Sequence, residues 1–187
     1  MPEAASKNFV DGREISGARL VSLLNRADEM KAGRPEVAGS SLTGKSIALI
    51  FEKPSTRTRI SFEVGIAELG GHGVILRSDE LQLSRGESIE DTARVMSRFV
   101  YGIVIRSGSD QHVSKLAEHA SVPVVNALTP LYHPCQALAD LLTLKERFGG
   151  LDGLKVAYVG DGNNVARSLA IAGSLTGVEV VVAAPDG

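Results

Sequence analysis

Short apolar runs alternate with amphipathic stretches along most of the chain. Ser16 precedes Leu20, Val21, Leu24, Ala27 and Met30, a helical spacing that Gly33 and Pro35 stop. A strand is expected over 46–51 and a helix from about Thr58 to Leu69, ended by Gly70-Gly71. A short strand over 73–76, an exposed polar loop over 78–86 and a helix from Ser88 to about Phe99 follow. Ser88 to Asp91 has the look of a capping box. Further on the pattern predicts a strand over 101–106, a helix over 110–119, a strand over 123–126 and a helix from Pro134 to Phe148. After Gly149-Gly150 come a strand over 154–159, a helix over 164–175 and a strand over 178–184. Strands that are short, apolar and separated by helices belong in a parallel sheet covered on both faces. The expected class is α/β: a parallel sheet flanked by helices, then the start of a second, Rossmann-like α/β unit. One strand–helix–strand unit cannot cover both faces of its own sheet, so the chain reads as C-terminally truncated.

In such sheets ligands sit beyond the carboxyl ends of the strands. Four polar groups fall there: the turn at 55–59, Arg106, the segment 126–136, and Asp161 to Asn164. The first is the densest. Ser55-Thr56-Arg57-Thr58-Arg59 joins a strand to a helix, where free N–H groups and the helix dipole favour an anion. Arginine grips phosphate bidentately, so a phosphate site is expected, against the plainer reading of a capped helix with solvated arginines. Arg106 ends an apolar strand and needs a counter-charge, water or a ligand. His133 and Gln136, at a helix entry, suit a carbonyl or an amide. Cys135 is read as a packed side chain rather than a nucleophile. Gly160-Asp161-Gly162-Asn163-Asn164-Val165 lacks the third glycine of a dinucleotide fingerprint, and its asparagines suit an amino acid or simply a turn.

Composition narrows the classes. The chain has 187 residues, 43% of them hydrophobic, and a net charge of −2, which offers no general attraction to nucleic acid or to a membrane. One cysteine excludes an internal disulfide and fits a reducing compartment. No segment reads as a signal peptide or a membrane span, so a cytoplasmic location is expected. His72, His112, His119 and His133 match no metal spacing, and His112 and His119 read as solvated. No metal and no cofactor are expected.

Two longer motifs carry a resemblance. Phe51-Glu52-Lys53-Pro54-Ser55-Thr56-Arg57-Thr58-Arg59 resembles the carbamoyl phosphate signature of the carbamoyltransferase family, and His133-Pro134-Cys135-Gln136-Ala137-Leu138-Ala139-Asp140 its second signature. Glu52-Lys53, Cys135, Ala139-Asp140 and the 160–165 turn are similar to the ornithine branch. The resemblance implies citrulline formation from carbamoyl phosphate and ornithine, a step of arginine biosynthesis, in a homotrimer. It implies a carbamoyl-phosphate-binding domain over 1–133, an interdomain helix over 134–150 and an incomplete ornithine-binding domain over 151–187. Ser55, Thr56, Arg57 and Thr58 would bind phosphate, and Arg106 and His133 the carbonyl side. Gln136 would take the carbamoyl amide and Asn164 the ornithine. Gln82 would reach a neighbouring subunit's site, although Ser84 stands where that loop is expected to carry glycine. Arg57, Arg106 and His133 are the expected catalytic groups. The short chain by itself is expected to bind carbamoyl phosphate weakly at most, without turnover. Transfer to aspartate, putrescine or an acylated ornithine, a noncatalytic carbamoyl-phosphate-binding relative, and a nicotinamide oxidoreductase are the alternatives.

Overall fold

Strands that are apolar on both sides must be sandwiched, and the chain solves this with helices on each face of one sheet. The computed structural model describes residues 6–34, 40–77 and 86–185. In chain order the elements are α1 (Gly17–Ala32), β1 (Ser46–Phe51), α2 (Thr56–Glu68), β2 (His72–Arg77), α3 (Ile89–Met96), β3 (Gly102–Arg106), α4 (Asp110–His119), β4 (Val124–Leu128), α5 (Pro134–Phe148), β5 (Lys155–Val159), α6 (Asn164–Thr176) and β6 (Glu179–Ala183). The first four strands form one parallel sheet in the order β2-β1-β3-β4. β5 and β6 form a separate parallel pair.

Each face of the larger sheet has its own core. Ala48, Ile50, Ile103, Ile105 and Val124 pack with Val113 and Leu116 of α4 and Ala93 of α3. Ile47, Leu49, Val104 and Ala127 point the other way, toward Ile66 of α2. Burying a side chain of this size contributes roughly 1.5–3 kcal/mol. A third cluster joins Leu20 and Leu24 of α1 to Ala137 and Leu141 of α5 and Ala172 of α6. Thus α1 lies early in the chain, in the segment expected to form the first domain, yet packs on α5, the expected interdomain helix, and on α6 beyond it.

The order β2-β1-β3-β4 runs outward in both directions from the β1–β3 pair, so the topological switch point lies between the ends of those two strands. The 55–59 turn follows one of them and Arg106 ends the other. Between β3 and β4 the register slips at Ile105/Arg106, so that Arg106 stands opposite Leu128. Such bulges bend a strand and re-aim its side chain.

Two expectations need correction. The helix expected from Ser88 to Phe99 ends at Met96. Ser97 Oγ donates back to the Ala93 carbonyl, and the chain tightens to i→i−3 bonds at Arg98 and Phe99. The apolar face of α1 is narrower than its spacing predicts: Leu20 and Leu24 are buried while Val21 is exposed. As expected of one strand–helix–strand unit, the β5–β6 pair is not covered on both faces, and Val159, Val181 and Val182 are exposed. Among the described residues no helix is long and apolar enough to cross a membrane.

Candidate anion-binding cleft

Helix starts normally satisfy their free N–H groups with a side chain. Four of the six helices do so: Ser16, Ser88, Ser109 and Asn163 accept from first-turn N–H groups of α1, α3, α4 and α6. The exceptions are α2 and α5, whose N-cap residues Ser55 and His133 make no side-chain cap bond. Both of these helix starts line one cleft of 830 Å³. Uncapped N–H groups carry partial positive charge, so the cleft is built to accept negative charge.

Most of the residues expected at a site meet here. Ser55, Thr56, Arg57, Thr58, Arg106, His133 and Gln136 all line the cleft, with Asp140, Cys135 and Val165. Arg106 Nη1 donates to Thr58 Oγ1 at 3.3 Å, which ties the end of β3 to the first turn of α2. Among the described residues Arg106 Nε is buried without a partner, and so is His133 Nδ1. A buried polar atom left unmade costs about 1–3 kcal/mol, so two of them in one cleft mark groups awaiting a ligand.

Burial pulls the His133 imidazole below its usual range, the neighbouring Arg106 guanidinium adds to this, and Asp140 partly opposes it. The ring is therefore neutral near pH 7. It offers a neutral hydrogen bond rather than a second full charge. Cys135 Sγ donates to the Asn126 carbonyl at 3.4 Å, and burial pushes its thiol up to about 12. A thiol held so far from ionisation is no nucleophile, in keeping with its reading as a packed side chain.

Asp140 is the residue whose role sequence reasoning missed. Its Oδ1 accepts from Gln136 Nε2 at 2.9 Å, which fixes the Gln136 amide at the cleft wall. The signal was present, because positions four apart on a helix share a face. His112 is exposed, as expected, and its Nδ1 also lies 3.1 Å from Glu52 Oε1.

The 160–165 turn joins the cleft only in part. Asn163 Oδ1 caps α6, accepting from Val165 N at 2.9 Å and Ala166 N at 3.3 Å. Asn164 Nδ2 donates to the Thr129 carbonyl at 2.7 Å, and Ser168 Oγ accepts from His133 N at 2.8 Å. So α6 grips the loop between β4 and α5. Gln82, with Ser84 and the rest of its expected loop up to Arg85, lies outside the described residues. Among the described residues no group of histidine, cysteine, aspartate and glutamate could hold a metal ion.

Comparison with known proteins places this geometry. Residues 7–146 match the carbamoyl-P binding domain of the aspartate/ornithine carbamoyltransferases, and residues 152–187 match their Asp/Orn binding domain. The ornithine carbamoyltransferase of Acidothermus cellulolyticus is 54% identical over 182 residues, covering 97% of this chain and 58% of the relative. That of Thermococcus kodakarensis is 53% identical over 187 residues, covering 98% of this chain and 58% of the relative. The crystal structure of ornithine carbamoyltransferase from Thermus thermophilus superposes with a TM-score of 0.92 at 49% identity, over 97% of this chain and 62% of that one. The chain therefore spans about 58% of the length of these curated relatives.

Proposed function

The chain belongs to the aspartate/ornithine carbamoyltransferase family, and from that premise we propose that it carries the carbamoyl phosphate site of an ornithine carbamoyltransferase. The reaction transfers the carbamoyl group from carbamoyl phosphate to the δ-amine of ornithine, giving citrulline and phosphate. The observation that carries this reading is the pair of uncapped helix starts facing one cleft beside the buried, unpartnered Nε of Arg106. The choice of ornithine as acceptor is supported by the names of the relatives at about half identity.

In this reading the start of α2, with Ser55, Thr56, Arg57 and Thr58, takes the phosphate. Arg106 and His133 face the carbonyl oxygen, and Gln136, held by Asp140, faces the carbamoyl amide. The uncharged δ-amine attacks the carbamoyl carbon through its lone pair. The carbonyl π electrons move onto oxygen, where Arg57, Arg106 and His133 meet the growing charge. A single preorganised donor of this kind is worth roughly 10²–10³ in rate. The tetrahedral adduct then expels phosphate by breaking the C–O bond, and the attacking nitrogen gives up a proton to the departing phosphate or to solvent. The leaving dianion is already matched by the helix dipole. Holding both substrates in line supplies up to about 7–11 kcal/mol more.

The remaining parts of the reading follow from the family. Residues 1–133 form the carbamoyl phosphate domain, 134–150 the connecting helix and 151–187 part of the ornithine-binding domain, with Asn164 on the amino acid. The assembly is a homotrimer or a multiple of trimers, the location cytoplasmic and the role arginine biosynthesis. Two measurements test the proposal. Calorimetric titration with carbamoyl phosphate tests the anion half, and no binding would overturn it. Incubation of carbamoyl phosphate with ornithine, aspartate, putrescine or N-acetylornithine tests the acceptor. Citrulline from ornithine is expected, and transfer to another amine instead would move the chain to a different branch.

A further inference from the structure

The mechanism leaves one polar cluster beside the cleft unused. Glu52 is the first residue after β1, and its carboxylate bonds to the segment that follows β3. Ser107 Oγ donates to Glu52 Oε2 at 2.5 Å, and Gly108 N donates to the same oxygen at 3.1 Å. The other oxygen meets His112 Nδ1 on α4. The backbone joins in, since Glu52 N donates to the Arg106 carbonyl at 3.0 Å. Ser107 is 1% exposed, and its Oγ also accepts from Ser109 N at 3.0 Å.

The placement of these bonds matters more than their number. Arg106 sits at the register slip between β3 and β4, while on its other side it stays in register with Phe51 of β1. After it, Ser107 N donates to the Leu128 carbonyl, while the Ser107 hydroxyl and Gly108 N are held by Glu52. The same residue opens the loop that leads, three positions later, into the anion turn at Ser55. One carboxylate therefore ties the segment after β3 to the start of the loop that carries the anion turn.

We propose that Glu52 is a positioning residue: it sets the Arg106 guanidinium at a fixed distance from the phosphate-binding turn, and so sets the spacing between the phosphate and carbonyl subsites. It touches neither substrate. The inference rests on the carbamoyl phosphate reading above, and it makes a distinction that a purely structural role does not. Inorganic phosphate needs only the turn. Carbamoyl phosphate needs the turn and Arg106 together.

The test titrates wild type, Glu52→Ala and Glu52→Gln with carbamoyl phosphate and, separately, with inorganic phosphate, and records the melting temperature of each. Glu52→Ala is expected to weaken carbamoyl phosphate binding about tenfold, the loss of one charge-assisted anchor, while phosphate binding changes less than about threefold. Glu52→Gln keeps an oxygen for Ser107 and Gly108 and an amide for the ring of His112, so it is expected to restore most of the difference. If Glu52→Ala does not fold, Ser107→Ala removes the shortest of the bonds and carries the same expectation. Parallel weakening of both ligands, an unchanged ratio, or a glutamine variant no better than alanine would overturn the proposal. Wild type that binds phosphate but not carbamoyl phosphate would instead overturn the reading it rests on, and the proposal with it.

Discussion

Replacing Arg106 by methionine separates binding from stability in a way the structure predicts with opposite signs. Among the described residues the Arg106 guanidinium makes one hydrogen bond, a long one of 3.3 Å to Thr58 Oγ1, and buries Nε with no partner. Losing the first costs about 0.5–1.5 kcal/mol, and relieving the second returns about 1–3 kcal/mol. Methionine preserves most of the apolar stem, so little packing is lost. The ligand-free protein is therefore expected to be unchanged or more stable by up to about 2 kcal/mol. Binding moves the other way. Removing one partner of a buried, hydrogen-bonded charge pair costs about 2–5 kcal/mol, so carbamoyl phosphate affinity should fall between roughly thirtyfold and a few thousandfold. The variant should also raise the His133 pKa, because Arg106 is one of the two causes depressing it, but not restore it fully, because burial remains. Urea denaturation, calorimetric titration and an NMR titration of the imidazole read the three quantities. An Arg106→Met protein that loses more than about 2 kcal/mol of stability yet binds carbamoyl phosphate normally would refute the reasoning, since Arg106 would then be a structural strut.

Three further outcomes follow from the same geometry. A histidine whose folded pKa lies below its unfolded value of 6.5 binds its proton more readily in the unfolded chain, so stability is unaffected well above pH 6.5 and falls as pH drops through it; His133→Gln should remove that part of the acid loss in urea midpoints measured at pH 8 and pH 5, and an unchanged loss would place its origin elsewhere. Cys135, with its thiol at about 12, should resist alkylation by iodoacetamide at pH 8 in the folded protein and react once unfolded; rapid labelling of the native state, read by mass spectrometry, would contradict the raised pKa. Gly17, in the first turn of α1, lies against the Leu175 carbonyl at the end of α6, where a β-carbon has no room; Gly17→Ala should destabilise by about 1–3 kcal/mol in thermal melts, and a neutral result would mean the α1–α6 contact is loose.

The order of elements was legible because each is announced by local chemistry. Pro134 opens α5 and Gly149, at φ 78°, closes it in the left-handed conformation that glycine takes without strain. The anion turn was legible for the same reason, since its hydroxyls and arginines are consecutive. Contacts between distant segments left a fainter trace. Nothing in the pattern of α1 says that Leu20 and Leu24 will meet Ala137, Leu141 and Ala172. His112 has the spacing of a solvated helix face, and only the parallel pairing of β1 with β3 brings Glu52 to it. The bond of Gln136 to Asp140 had a local signal, four positions apart on one helix, whereas the bond of Glu52 to His112 joins groups whose neighbourhood is set by topology.

That topology also explains why the cleft can remain under-bonded in a stable protein. The groups left without partners sit at the rim of a sheet whose two faces are separately filled, so their cost is borne by a core that does not depend on them. The loops around them are tied from outside the cleft. Glu52 holds the segment after β3, and Asn164 and Ser168 of α6 hold the loop before α5. A donor is useful to an incoming anion only if it is aimed before the anion arrives, because reorganisation would consume the binding energy. Here the donors that face the cleft are left open, while the backbone that carries them is bonded on its far side. The same division accounts for the four capped helices and the two that are not. Capping α2 or α5 with its own side chain would stabilise the helix by about 1 kcal/mol and fill the place where a ligand oxygen binds.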